Sequence, residues 1–398
     1  MSNIINKGEA INLLKKLISI PSQVGQENEN GMIEFVSSFL HELGLKYSIH
    51  YTSIDKLHER PNLICKVDFD EEGPCIILNG HTDTKPAYQI QSSNKNWSFN
   101  PFEGELFENK LYGRGSCDMK AGLASYLVVI KSLMEKKESL KGSIILQFVA
   151  DEEMGSNFGM KNLQEFSKIR ADLAIVAEPT DNDICIAELG NLWIKLIVKT
   201  QDGHAGFAWM YENAIDHSNR VIESFRQAID TVKSETRDAL FPNHPALNIG
   251  SIRGGHHPGS VPGYCEALLD IRIRPNETQK HYLALTQKIV KEYLRENQGV
   301  QIEITEYLGG GFPPGQTKKI GPLIQQLHDI NKLHNGSETL KGFYGGSDAY
   351  YFMKNDIPTV VFGPGSLHQA HAVDEFVSLD QYLTYIEILH AFLEQNLA

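Results

Sequence analysis

The chain has 398 residues, 41% of them hydrophobic and 22% charged, with a formal net charge of −13. That length supports two domains with separate cores, and the composition is that of an ordinary globular protein. The acidic balance argues against nucleic acid or an anionic membrane as a partner, while leaving room for a small basic pocket.

Cys65, Cys75, Cys117, Cys185 and Cys265 are scattered and odd in number, without a C-x-x-C pair. No disulfide framework is expected, and a reducing cytoplasm is the expected setting. Residues 1–20 lack a signal pattern, and no run approaches the roughly 20 apolar residues of a membrane span.

In chain order, residues 10–18 are amphipathic and stop before Pro21, which predicts a helix. Met32, Phe35, Val36, Phe39, Leu40 and Leu43 fall at helical spacing, and Gly44 supplies a stop. Residues 45–51 and the alternating Leu63, Cys65 and Val67 predict strands. The apolar run 75–78 predicts a buried strand ended by Gly80, with His81 and Asp83 directly after it. A loop then runs to about Gly113, a length that is usually functional or disordered. Residues 121–136 read as a helix, 144–150 as a strand, 160–166 as a short helix and 173–177 as a strand. This alternation implies βαβ units and an α/β fold with a largely parallel sheet.

The pattern changes near Glu188. Leu192, Ile194, Leu196 and Val198 alternate, as in a sheet with one wet face. A helix over 214–232, strands at 247–253 and 267–273, a helix over 277–296 and a strand at 300–307 follow. That is the βαββαβ order of a ferredoxin-like unit. Gly309-Gly310-Gly311 and Pro313-Pro314 read as a hinge back. Helix 320–333, strand 359–362 and helix 380–394 complete the first domain. The expected division is 1–187 and 310–398 for the first domain and 188–309 for the insert.

The chemistry-bearing residues gather where strands end, which is where open α/β sheets bind ligands. His81 and Asp83 read either as a hydrogen-bonded strand end or as a metal-binding imidazole steadied by a carboxylate. Asp118, among glycines at 113, 115 and 122, reads as a helix N-cap or as a carboxylate bridging two cations. Asp151-Glu152-Glu153 reads as a solvated acidic turn, or as one metal ligand beside one carboxylate facing substrate. Glu178 ends a third apolar strand. His368 and His371 follow a fourth, and local sequence leaves the choice between them open. Nitrogen and oxygen donors without sulfur suit Zn, with Co or Mn as substitutes. Two such cations would activate water near neutral pH, and a free carboxylate would act as general base.

These motifs resemble the co-catalytic zinc amidohydrolases that include acetylornithine deacetylase, succinyl-diaminopimelate desuccinylase, aminoacylase and related exopeptidases. The resemblance spans GHTDT at 80–84, GRGSCDMKAG at 113–122, DEEMGS at 151–156, AEPT at 177–180, DGHAG at 202–206, and GPG with AHAVDE at 363–375. It implies a zinc-exopeptidase-like catalytic domain, helices on both faces of its sheet, and a lid and dimerisation role for the insert. It implies that His81 and Glu178 bind one zinc, Glu153 and His371 the other, and that Asp118 bridges them before a cis peptide bond. Asp83 would orient His81, and Glu152 would be the general base. His371 is preferred because it occupies the family's His-x-x-(Asp/Asn)-Glu position.

His204 would reach a partner subunit's active site and polarise the scissile carbonyl. Arg272 would bind a substrate carboxylate, and Gly346 and Ser347 would line the substrate pocket. Where the family often has Asn before Val-Ile-Pro-Gly, this chain has Ser260-Val261-Pro262-Gly263, and His256 and His257 are additional loop residues.

The expected protein is a cytoplasmic homodimer with two Zn2+ per subunit. Closure of the insert would complete the site, which would remove an acyl group from an N-acyl amino acid or a similar small amide. The rivals are a dipeptidase or carboxypeptidase-like enzyme acting on short peptides, and a catalytically silent binding protein.

Overall fold

The computed structural model of the protein describes residues 6–24, 29–53, 59–69, 72–87, 97–234, 238–242, 247–334 and 336–398. Part of the expected long loop, 88–96, lies outside the described residues. The chain divides into two compact units, Met1–Glu188 with Gln316–Ala398, and Leu189–Gly315.

The first unit opens with helix α1 (Lys7–Ile18), whose N-cap Asn6 accepts the Glu9 N–H at 3.2 Å and so satisfies one free end donor. Helix α2 (Glu29–Glu42) follows, then strands β1 (Tyr47–Ser53), β2 (Glu59–Asp68) and β3 (Cys75–His81). Helix α3 (Ala121–Met134), β4 (Ser143–Val149), β5 (Leu173–Val176) and β6 (Cys185–Glu188) complete this stretch.

The expected helix at 160–166 is only Gln164–Ser167. Tertiary contacts override the apolar spacing of Met160, Leu163 and Phe166 there. The Phe158 N–H bonds Asp151 Oδ2 at 3.0 Å, and Gly159 lies so close to Ala150 that a Cβ would sit 2.1 Å from its carbonyl oxygen. The segment is folded back against a strand end instead of coiling.

In the second unit, β7 (Gly190–Lys199), α4 (Ala214–Ser234), β8 (Leu247–Gly254), β9 (Tyr264–Ile273), α5 (Gln279–Glu296) and β10 (Gln301–Glu306) follow one another. The four strands pair antiparallel in the order β8-β9-β7-β10. Alternate residues Leu192, Ile194, Leu196 and Val198 are buried and share a core with Phe225 and Ile229 of α4 and Tyr282 of α5. The intervening positions of β7 are more open, so the sequence alternation records a sheet covered by helices on one side.

The chain re-enters the first unit with α6 (Pro322–Leu333), β11 (Lys341–Phe343), α7 (Ala349–Lys354), β12 (Thr359–Val361) and α8 (Leu379–Leu397). The central sheet runs β1-β2-β4-β3-β5-β12-β6, with β11 beside β6. Its middle strands β4, β3, β5 and β12 are parallel neighbours, while β1 and β2 add an antiparallel edge. All of β4 is buried, which is why it reads as an unbroken apolar run.

Helix α7 supplies Phe352 and Met353 to a core with Ile77, Ile145 and Ala174. A Cβ at Gly80 would meet Leu123 of α3 at 2.7 Å. Positions 77 and 80 point to opposite faces, so the two helices cover different sides. Among the described residues, no helix is long and apolar enough to cross a membrane.

Candidate metal centre

Parallel pairing brings four strand ends to one level. His81 is opposite Val149, Asn79 opposite Val176, and Val176 opposite Val361. Each strand runs on into polar residues: β3 ends in His81, β4 leads to Asp151-Glu152-Glu153, β5 to Glu178, and β12 to the turn carrying His371. Asp118 arrives from the bend at Ser116–Lys120 that precedes α3.

The side chains converge. His81 Nε2 lies 3.0 Å from Asp118 Oδ1, 3.7 Å from Glu178 Oε1 and 4.0 Å from Glu152 Oε2. His371 Nε2 lies 2.9 Å from Glu153 Oε2 and 3.4 Å from Asp118 Oδ2. Asp118 therefore turns one oxygen to each imidazole. His81, Glu152 and Glu178 form one group whose ligand atoms all lie within 4.8 Å of one another, and Asp118, Glu153 and His371 form a second.

The electrostatics are those of groups that need cations. Glu178 Oε1 is buried without a hydrogen-bond partner, a costly state for a carboxylate. Burial, reinforced by Glu178, raises Glu152 well above the ordinary carboxylate range, and burial likewise raises Glu178 despite the attraction of His81. Burial opposes charge on His81, yet Glu178, Asp118 and Asp83 hold it well above its usual range. Burial also works against ionised Asp118, but hydrogen bonds from His371 and His81 hold its carboxyl far below its usual value. Burial and mutual repulsion thus leave Glu152 and Glu178 disposed to hold a proton or a cation, and the N/O donor set fits Zn or a similar ion.

Local structure fixes each ligand. His81 Nδ1 donates to the main-chain oxygen of Asp83 at 2.9 Å and lies 3.5 Å from Asp83 Oδ1. A carbonyl can only accept, so Nδ1 carries a proton, and Nε2, turned toward Asp118 Oδ1, is the nitrogen that a metal would take in place of a proton. The Asp83 carboxylate also accepts the N–H groups of Glu152 at 3.2 Å and Glu153 at 3.0 Å. Asp151 and His371 are held at φ 66° and 63°, a left-handed region that non-glycine residues avoid and that clusters at functional sites.

Glu375 grips the Asp118 bend. Its carboxylate accepts the N–H groups of Gly115, Cys117 and Asp118 at 3.0, 2.9 and 3.1 Å, and Arg114 Nη1 at 2.7 Å. Gly115 sits at φ 80°, and a Cβ there would lie 2.6 Å from Thr84. The Asp118–Met119 peptide bond is cis, as expected from the motif.

Sequence reasoning did not single out Glu375, although it ends the AHAVDE motif. It also passed over Lys85, which donates to the main-chain oxygen of Glu153 and lies 3.3 Å from Glu153 Oε2. Asp348 was missed too. It is buried, accepts from Ser156 at 2.5 Å, and burial pushes it up to about 7.

Other expected residues fall elsewhere. His368 is exposed, and His371 is the histidine in the cluster. Gly346 is half-buried in its loop. Ser347 is buried, and its hydroxyl donates to Glu188 Oε2 at 2.5 Å. His204 and Arg272 belong to the second unit. His204 is exposed, its Nδ1 accepts the Gly206 N–H at 3.0 Å, and it pairs with Ser260 in a short ladder. Arg272 Nη2 lies 3.0 Å from Asp270 Oδ2, an oxygen that also accepts the Trp193 indole N–H at 3.2 Å.

Two neighbouring N/O ligand groups at the rim of a parallel sheet could each hold a metal ion. The sequence profile of Peptidase family M20/M25/M40 matches residues 77–395, and the chain belongs to that family.

It is 28% identical to the uncharacterized metallohydrolase MJ0457 of Methanocaldococcus jannaschii, across 97% of this chain and 99% of that one. It is 25% identical to a probable succinyl-diaminopimelate desuccinylase of Staphylococcus epidermidis, across 98% and 100%. It is 27% identical to the N-formyl-4-amino-5-aminomethyl-2-methylpyrimidine deformylase of Bacillus subtilis, across 98% and 94%. Among solved structures, the di-peptidase Dug1p of Saccharomyces cerevisiae matches with a TM-score of 0.79 at 15% identity, over 98% of this chain and 95% of that one. Human carnosine dipeptidase 1 matches with a TM-score of 0.76 at 16% identity, over 98% and 97%. These two share the fold. The protein is thus an M20 metallohydrolase, with a mixed α/β fold and a largely parallel central sheet.

Proposed function

We propose that this protein is a two-zinc deacylase that hydrolyses the amide bond of an N-acyl amino acid or a similar small amide. The observation that carries the reading is Asp118 turning one oxygen toward His81 and the other toward His371, with Glu178 and Glu152 near the first imidazole and Glu153 near the second. In this reading His81 and Glu178 would hold one cation and Glu153 and His371 the other, with Asp118 shared between them. Bound cations would supply Lewis acidity for the amide carbonyl and lower the pKa of a water.

Glu152 would take a proton from the attacking water as its oxygen bonds to the carbonyl carbon, and pass that proton to the leaving amine as the carbon–nitrogen bond breaks. Asp83 holds His81 and, through two main-chain N–H groups, sets where Glu152 and Glu153 stand. We assign His204 to the scissile carbonyl of a partner subunit, and Arg272 and Gly346 to substrate binding, on the family resemblance. Ser347 would support the Gly346 loop through Glu188.

The second unit reads as a ferredoxin-like lid and dimerisation module, supported by its βαββαβ order and four-stranded antiparallel sheet. A cytoplasmic setting is supported by five free cysteines.

The relatives named as desuccinylase and deformylase, at 25–27% identity, favour a deacylase. The dipeptidases share less sequence with the chain, and a dipeptidase is the second reading. The test is a panel of N-acetyl, N-succinyl and N-formyl amino acids beside dipeptides, with zinc-loaded protein and a chelated control. Faster turnover of an acyl amino acid, abolished by chelation, is expected. Faster dipeptide turnover would move the assignment to an exopeptidase. No turnover on any member would favour a binding protein.

A further inference from the structure

We propose that Lys85 is a built-in competitor for the cation at Glu153 and His371, making that position the weaker of the two. The proposal rests on the two-cation reading above.

Lys85 Nζ lies 3.3 Å from Glu153 Oε2, the same oxygen that faces His371 Nε2 at 2.9 Å. An incoming cation must share that oxygen with an ammonium. The ammonium is also anchored elsewhere, because it donates to the main-chain oxygen of Glu153. That acceptor is neutral and is not a metal ligand, so metal binding gives Lys85 no reason to leave. The second cation therefore binds against a fixed positive charge a few ångströms away, in a site where charges interact strongly.

At the other position no lysine makes such a contact among the described residues: the ion pairs of Glu152 and Glu178 are with His81, and Lys85 acts on Glu152 less strongly than on Glu153. Lys85 is thus a positioning residue: it fixes Glu153 and lowers the affinity of that position more than of the other.

The test is a Zn2+ titration of demetallated full-length protein against a chromophoric competing chelator. Lys85→Met, Lys85→Gln and Lys85→Arg are compared with the wild type, and His371→Ala identifies which step belongs to the Glu153 position. The wild type is expected to bind two ions in resolved steps, the weaker one lost in His371→Ala. Met and Gln should tighten that weaker step by about tenfold or more, as removal of a nearby like charge requires, and move the tighter step less. Arg should retain the wild-type value. Gln keeps a donor for the Glu153 carbonyl, so it separates loss of charge from loss of the anchor.

If the wild type binds two ions and both neutral variants leave the weaker step unchanged or weaken it, Lys85 has no such role while the two-cation reading stands. If the wild type binds fewer than two ions, both fail.

Discussion

On the β3 and β5 side of the ligand cluster, His81, Glu152 and Glu178 have side chains 0%, 9% and 5% exposed. On the β12 side His371 is 47% exposed and sits on a turn, and Lys85 reaches in beside Glu153. Strand ends deliver the first group, and a loop held at an unfavourable φ delivers half of the second. The comparison separates a buried position from a more open one that solvent and a lysine both reach. Asp118 belongs to both.

That shared residue gives the largest expected effect. Asp118→Ala should weaken both zinc steps and lower turnover by more than about 10^4-fold, beyond the range of a lost general base. A loss confined to one step would break the picture of a common bridge. Glu152→Gln comes next. It should keep both ions, counted by metal analysis, and lower kcat by about 10^2–10^4-fold; a lost ion would instead make Glu152 a ligand of the buried position.

Asp83→Asn should weaken metal binding by about 10–100-fold, as loss of an outer-shell partner does. Because the Asp83 carboxylate lies 3.5 Å from His81 Nδ1 and accepts the Glu153 N–H at 3.0 Å, both steps should move. Smallest in its effect on chemistry is Glu375→Gln. Breaking its buried pair with Arg114 should cost about 3 kcal/mol of stability, read by urea unfolding, and loosen both ions equally through the Asp118 bend. Unequal loosening would sharpen the contrast between the halves.

Much of this was legible in the sequence because strands buried on both faces have a plain signature. The runs 75–78, 144–150, 173–177 and 359–362 predicted all four strands of the rim, and the polar residues that follow them are the ones that meet. His371 could be chosen over His368 only through the resemblance, since both follow the same strand.

Glu375 escaped notice because three of its four partners are main-chain N–H groups about 260 positions away, which no side-chain pattern announces. Lys85 follows the His81 motif directly, yet its meaning depends on a carbonyl that only the folded Asp151–Met154 turn presents. The bond from the Ser347 hydroxyl to buried Glu188 was equally out of reach of the sequence, which offered Ser347 only through the family resemblance of its segment.

The most direct test of the account is the number of ions bound per chain, counted by elemental analysis of protein reloaded with zinc and freed of excess. Two ions per chain in the wild type, falling to one in His371→Ala, is the predicted result. One ion or none in the wild type would contradict it.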